Sequence, residues 1–178
     1  MIEFTRRVLL SLALLLTVLA TKAHAQLLDR QRIACIGDSI TEGNANPDHL
    51  TNAWPLVLQR LLETAAPGRY ESKNFGCSGA TALRKGSKPY WDQGARAASL
   101  EFAPELVIIN LGANDAVDRN WLEHGADFEE DYRELILSYQ QLNTKPRIWL
   151  SNLTPVFDWH PRTEERLRTT PAVEETIQ

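Results

Sequence analysis

The sequence is short of cysteine and of positive charge, and each shortage removes a class of protein. Two cysteines, Cys35 and Cys77, with no histidine pair beside them do not make a structural zinc site. Nineteen Lys and Arg stand against 23 Asp and Glu, a net charge of −4. That balance excludes a general nucleic-acid binder, which needs a basic face to neutralise phosphates. There are no internal repeats and no low-complexity tracts. The Gly-x-Ser-x-Gly elbow of the α/β-hydrolases is missing. A glycine-rich phosphate loop after the first apolar run is missing too, which disfavours a flavodoxin-like nucleotide or flavin binder.

The N-terminus reads as a leader. Arg6 and Arg7 precede an apolar run at 8–20 (VLLSLALLLTVLA), and Ala23-His24-Ala25 is a small-x-small cleavage site. The apolar run is shorter than the ~20 residues that span a bilayer. Cleavage near Ala25 is therefore expected, in preference to an uncleaved anchor. The product would be a secreted or periplasmic protein with no stable membrane span. Losing residues 1–25 leaves 16 basic against 22 acidic residues, a charge of −6. Residues 26–178 are enough for one domain. Export permits a Cys35–Cys77 disulfide, but two small buried residues are the preferred reading.

Past the leader, short apolar runs alternate with helical stripes. Residues 33–36 form a buried strand candidate that stops at Gly37-Asp38-Ser39. Trp54, Val57, Leu58, Leu61 and Leu62 make one face of an amphipathic helix, with Pro55 suited to its first turn and 65–68 (AAPG) to its end. A weaker strand candidate at 70–75 runs into Gly76-Cys77-Ser78-Gly79, and 95–102 reads as a short helix. The run at 106–111 (LVIINL) is continuous rather than alternating, as in a parallel sheet buried on both faces. It ends in Gly112-Ala113-Asn114-Asp115. Phe128, Tyr132, Leu135, Ile136 and Tyr139 make a second helical stripe, with Asp127 and Glu130 spaced as a capping box. RIWL at 147–150 is the next strand candidate.

Strand–helix alternation of this kind implies βαβ units, a parallel sheet and helices on both faces. Ligands of such sheets bind beyond the C-terminal ends of the strands. Three strand candidates end there in small polar turns, which would converge on one edge. Ser39 follows its strand directly, so its hydroxyl could project from that edge as a nucleophile. A helix starting beside it would favour developing negative charge. Gly79 could offer an unobstructed backbone N–H, and Asn114 a side-chain amide, to an oxyanion. Each turn alone is ordinary turn chemistry. The three in order point to ester hydrolysis.

The stretches IGDSITEG, NFGCSGAT and INLGAND resemble the first three blocks of the SGNH (GDSL-type) hydrolases. The resemblance covers residues 32 to about 155. It implies a flavodoxin-like three-layer α/β/α sandwich. It implies Ser39 as the nucleophile, with Ser39 N–H, Gly79 and Asn114 forming the oxyanion hole and no metal or cofactor. The run NFGCSGATALRKGSKPYW is similar to proteins of the sialate O-acetylesterase-like and carbohydrate acetylesterase-like branch. That likeness implies acetyl or other short acyl esters, on O-acetylated sialic acid or a polysaccharide. Asp38, Tyr90 and Trp91 are further candidates to contact such a substrate. Trp54 and Trp121 could also stack on a sugar, although Trp54 fits the helix stripe. Arg84, Lys85 and Lys88 form a basic loop that could meet an acidic sugar or simply be solvated.

The family's last block is Asp-x-x-His, and this chain does not contain it. Of its histidines, His24 falls in the leader, and His49 and His124 lie outside any such motif. Asp158-Trp159-His160 is one residue too short. The chain is therefore expected to be C-terminally truncated, with 163–178 polar and partly helical and the last strand and helix missing. Without an imidazole near it Ser39 stays a neutral hydroxyl. The 178-residue chain is thus expected to be poorly stable and catalytically weak. A non-catalytic carbohydrate-binding protein and a lipase- or thioesterase-type acyl hydrolase remain alternatives. The sequence does not specify the oligomeric state.

Overall fold

In the computed structural model, residues 16–17, 30–44, 46–155 and 163–177 are described. The leader, Asp158 and His160 lie outside them. Four strands form one parallel sheet in the order β2-β1-β3-β4. These are β1 (Gln31–Gly37), β2 (Tyr70–Gly76), β3 (Leu106–Asn110) and β4 (Arg147–Leu150). The helices are α1 (Ser39–Glu42), α2 (His49–Asn52), α3 (Trp54–Ala65), α4 (Gly94–Glu101), α5 (Asp118–His124), α6 (Phe128–Gln140) and α7 (Thr163–Ile177).

The period of two along each strand sorts its side chains to two faces. Ala34 and Ile36 of β1 and Val107 and Ile109 of β3 point to the larger core, where Phe128, Tyr132, Leu135 and Tyr139 of α6 cover them. Ile33, Cys35, Leu106 and Ile108 point the other way, against Trp54, Leu58 and Leu62 of α3. Helices thus lie on both faces, and the expected α/β/α layering is present. Both cysteines are free. Cys35 lies fully buried beside Ser72, and burial pushes its thiol up to about 11.

Two local readings need correction, and one helix was not read from the sequence. Asp127 forms no side-chain cap on α6. A 3-10 turn, Gly125–Asp127, brings the chain in with Asp127 already at helical angles (φ −87°, ψ −8°), and its carboxylate pairs with Lys85 Nζ at 2.9 Å instead. Helix α5 has no apolar stripe in the sequence, and its Leu122 is exposed. In the first helical stripe, Leu61 of α3 faces solvent. Among the described residues no helix is long and apolar enough to cross a membrane.

Candidate functional site

The register of the sheet builds the site. Gly37 is paired with Gly76 on one side and with Asn110 on the other, so β1, β2 and β3 end at one level. The turns that follow them start side by side at the C-terminal edge. The strand order places β1 between strands reached by crossovers on opposite faces, which is the switch point where open α/β sheets bind ligands.

Close backbone packing requires the two glycines at this edge. A Cβ on Gly37 would fall 2.1 Å from Thr41 Oγ1 and 2.6 Å from the Asn110 carbonyl oxygen. A Cβ on Gly76 would fall 2.1 Å from the Glu42 nitrogen. The turn of α1 can therefore press directly onto the strand ends. Glu42 then reaches across, and its Oε2 accepts the Ser78 N–H at 3.0 Å.

Ser39 opens α1 and is half-buried. Among the described residues nothing bonds its hydroxyl, and neither its own N–H nor that of Gly79 has an acceptor. Gly79 has φ +79°, in the left-handed region that favours glycine. A Cβ placed there would meet only Lys88 Cδ, at 3.7 Å. Asn114 Nδ2 lies between Asp38 Oδ2 (3.2 Å) and the Ala80 carbonyl oxygen (3.0 Å). One side chain therefore links the Ser39 turn, the Gly79 turn and the Asn114 turn. In the free protein both of its amide hydrogens are engaged, so an oxyanion would share one of them.

Asp38 is 1% exposed and caps α1 by accepting the Ile40 N–H at 2.9 Å. It orients Asn114 and is not placed to contact substrate, contrary to the expectation from sequence. Tyr90 is likewise no substrate contact. It is fully buried, and its hydroxyl donates to the Phe75 carbonyl at 2.8 Å. The guanidinium groups of Arg84 (3.9 Å) and Arg96 (4.7 Å) lie over the half-buried Trp91 ring, and its N–H donates to the Ala82 carbonyl. Trp121 packs edge-on against Phe128. The basic loop is also used internally: Arg84 pairs with Asp131 and Glu134, Lys85 with Asp127, and Lys88 Nζ donates to the Ser78 carbonyl at 2.7 Å.

Trp54 does meet open space. A cavity of about 520 Å³ adjoins Ser39 and is lined by Ile40, Gly43, Pro47, Ala53 and Trp54 among others. The Trp54 indole N–H is fixed on Thr41 Oγ1 at 3.3 Å. Neither described histidine bonds Ser39. His49 is exposed on α2, and His124 lies 3.6 Å from Glu123 Oε1.

Two residues that sequence reasoning passed over hold the turns in place. Asp115 is fully buried, and its carboxyl accepts the N–H groups of Ala82 (3.1 Å) and Leu83 (2.8 Å). Burial pushes its pKa up to about 7. The two N–H bonds oppose that shift, and the Asp38 charge adds to it. Asn120 is 2% exposed and bonds Asn114 and Ser87. Asp115 had read only as turn chemistry beside Asn114. Asn120 carried no signal, because its partners are the Asn114 carbonyl and the backbone and hydroxyl of Ser87, 33 residues away.

The sheet edge thus carries a serine after a central parallel strand, with the Gly79 and Asn114 turns beginning at the same level. The profile of the GDSL-like Lipase/Acylhydrolase family matches residues 35–178, and the chain belongs to that family. A curated relative, an acetylxylan esterase of Xylanibacter ruminicola, is 39% identical over 108 residues, which are 61% of this chain and 22% of that protein. The match thus spans about a fifth of that relative's length. Two solved structures share the fold. A two-domain esterase active on acetylated mannans has TM-score 0.53 and 22% identity, over 74% of this chain and 33% of that one. A carbohydrate acetylesterase family member from Sinorhizobium meliloti has TM-score 0.60 and 16% identity, over 83% and 76%.

Proposed function

We propose that this chain carries the nucleophile of an exported serine esterase that removes acetyl groups from a carbohydrate. The observation that carries the reading is the linkage of Ser39, Gly79 and Asn114 through Asp38 and Ala80 at one sheet edge. Ser39 Oγ attacks the ester carbonyl. The Ser39 and Gly79 N–H groups, joined by Asn114 Nδ2, take up the oxyanion. One such donor is typically worth about 2.7–4 kcal/mol in the transition state. The hydroxyl proton passes to a base and then to the leaving sugar alcohol. Water hydrolyses the acetyl-serine to acetate, and Ser39 regains its proton.

A cavity of 520 Å³ beside Ser39 is far larger than a methyl group needs. It suits the alcohol half of the ester, with the Trp54 and Pro47 side chains offering apolar surface to a sugar ring. The name of the acetylxylan esterase relative and the acetylated-mannan activity of a structural neighbour support a polysaccharide substrate. The leader-like residues 1–25 support a secreted or periplasmic location.

No described histidine bonds Ser39, and the Asp-x-x-His pattern is missing from the sequence. Since among the described residues no base bonds Ser39, we expect the 178-residue chain alone to be a slow esterase, without the about 10²–10⁴-fold that general-base catalysis is worth. Imidazole in solution should replace part of it. The test is hydrolysis of p-nitrophenyl acetate with added imidazole, wild type against Ser39→Ala. A several-fold excess for wild type supports the proposal. Equal rates in the two proteins would remove it. Glycan binding that survives Ser39→Ala, with no excess rate, would instead mark a non-catalytic binding protein.

A further inference from the structure

We propose that Asn120 is a positioning residue that fixes the Asn114 donor relative to the Gly79 donor. The inference rests on the esterase reading of Ser39. Asn120 lies on α5 and is almost completely buried. Its Nδ2 donates to the Asn114 carbonyl oxygen at 2.7 Å and to Ser87 Oγ at 3.3 Å, and its Oδ1 accepts the Ser87 N–H at 2.8 Å. One amide therefore grips both the Asn114 turn and the loop around residue 87.

That loop is tied to Gly79 in turn. The Lys88 carbonyl accepts the Thr81 N–H at 2.9 Å, and Lys88 Nζ holds the Ser78 carbonyl at 2.7 Å. The Lys88 stem passes the open face of Gly79. Asn120 thus sits at the junction of the two donor turns. The Asn114 carbonyl also accepts a longer bond, from the Val117 N–H at 3.3 Å.

The chemistry of the position selects an asparagine. It needs one acceptor for a backbone N–H and two donors for two oxygens, within one short planar group. Aspartate would keep the acceptor but set a second oxygen against the Asn114 carbonyl. Alanine would leave the Ser87 N–H and the Asn114 carbonyl without this partner. In both cases the Asn114 turn is free to shift. Misplacement of a catalytic group by 1 Å can cost about 10²-fold.

The experiment measures the imidazole-assisted, Ser39-dependent hydrolysis of p-nitrophenyl acetate in the full chain. It uses Asn120→Ala, Asn120→Asp and, as a control on the exposed side of α5, Arg119→Ala. Hydrogen exchange of the amides at 112–117 is followed in the same proteins. We expect kcat to fall about ten- to a hundredfold in both Asn120 variants, with KM within about twofold. The 112–117 amides should exchange faster, and Arg119→Ala should match wild type. Folded Asn120→Asp protein with wild-type kcat overturns the inference. Should wild type show no Ser39-dependent rate, the esterase reading falls. The brace is then judged by exchange alone, and unchanged protection at 112–117 in folded Asn120→Asp overturns it.

Discussion

From about pH 5 to about pH 8 the native state should lose about 2–3 kcal/mol of stability at one carboxyl, that of Asp115. In the unfolded chain this group ionises near 3.8, and in the fold its pKa is pushed up to about 7, first by burial. A folded pKa above the unfolded one gives stability that is fully present below about 3.8 and is lost as pH rises through about 7. Each pH unit between the two values costs about 1.4 kcal/mol. Asp115→Asn cannot ionise, so it should abolish the slope. It also has a pH-independent cost. Asparagine has one acceptor oxygen for the two N–H groups of Ala82 and Leu83, and a buried donor without a partner costs about 1–3 kcal/mol. Asp115→Asn should therefore be the less stable protein at pH 5 and approach or overtake wild type at pH 8. Urea unfolding at four pH values in this range reads the difference, with m held constant as the check on two-state behaviour. Subtracting the two curves removes the other titrating groups. Parallel curves would refute the reasoning.

The two glycines Gly76 and Gly94 should respond in opposite ways to alanine. Gly76→Ala forces a Cβ into the backbone of Glu42 and Thr41 and should lower the yield of folded protein sharply. Gly94→Ala meets nothing within 4 Å and should raise stability by about 0.4–1 kcal/mol in thermal unfolding. Tyr90→Phe removes the bond to the Phe75 carbonyl and should cost about 1 kcal/mol. Affinity for an acetylated oligosaccharide should not change, and a large loss would return Tyr90 to the substrate surface.

Legibility differed by kind of signal. The strands at 33–36 and 106–111 could be read because a buried parallel strand leaves a continuous apolar run, whereas the edge strand at 147–150 is half-exposed and was read from the short run RIWL. The convergence of Ser39, Gly79 and Asn114 could be read because each follows a strand candidate, and the common register of Gly37, Gly76 and Asn110 brings those strand ends level. Helix α5 could not be read. DRNWLEH has no repeating apolar face, and a polar residue, Asn120, is its buried anchor. Asp115 and Glu42 were hidden for a related reason: each bonds backbone N–H groups more than 30 residues away. Tyr90 misled because its flanks are polar. Arg84 lies over the half-buried Trp91 with a guanidinium that α6 carboxylates hold in place, so polar neighbours adjoin a buried tyrosine.

The central claim is that Ser39 attacks an acetyl ester beside preformed oxyanion donors. The most direct measurement is the rate of p-nitrophenyl acetate hydrolysis in imidazole by the purified chain, minus the rate of its Ser39→Ala variant. The account predicts a low rate without imidazole and a several-fold Ser39-dependent increase with it. A wild-type rate equal to that of Ser39→Ala at every imidazole concentration would contradict it.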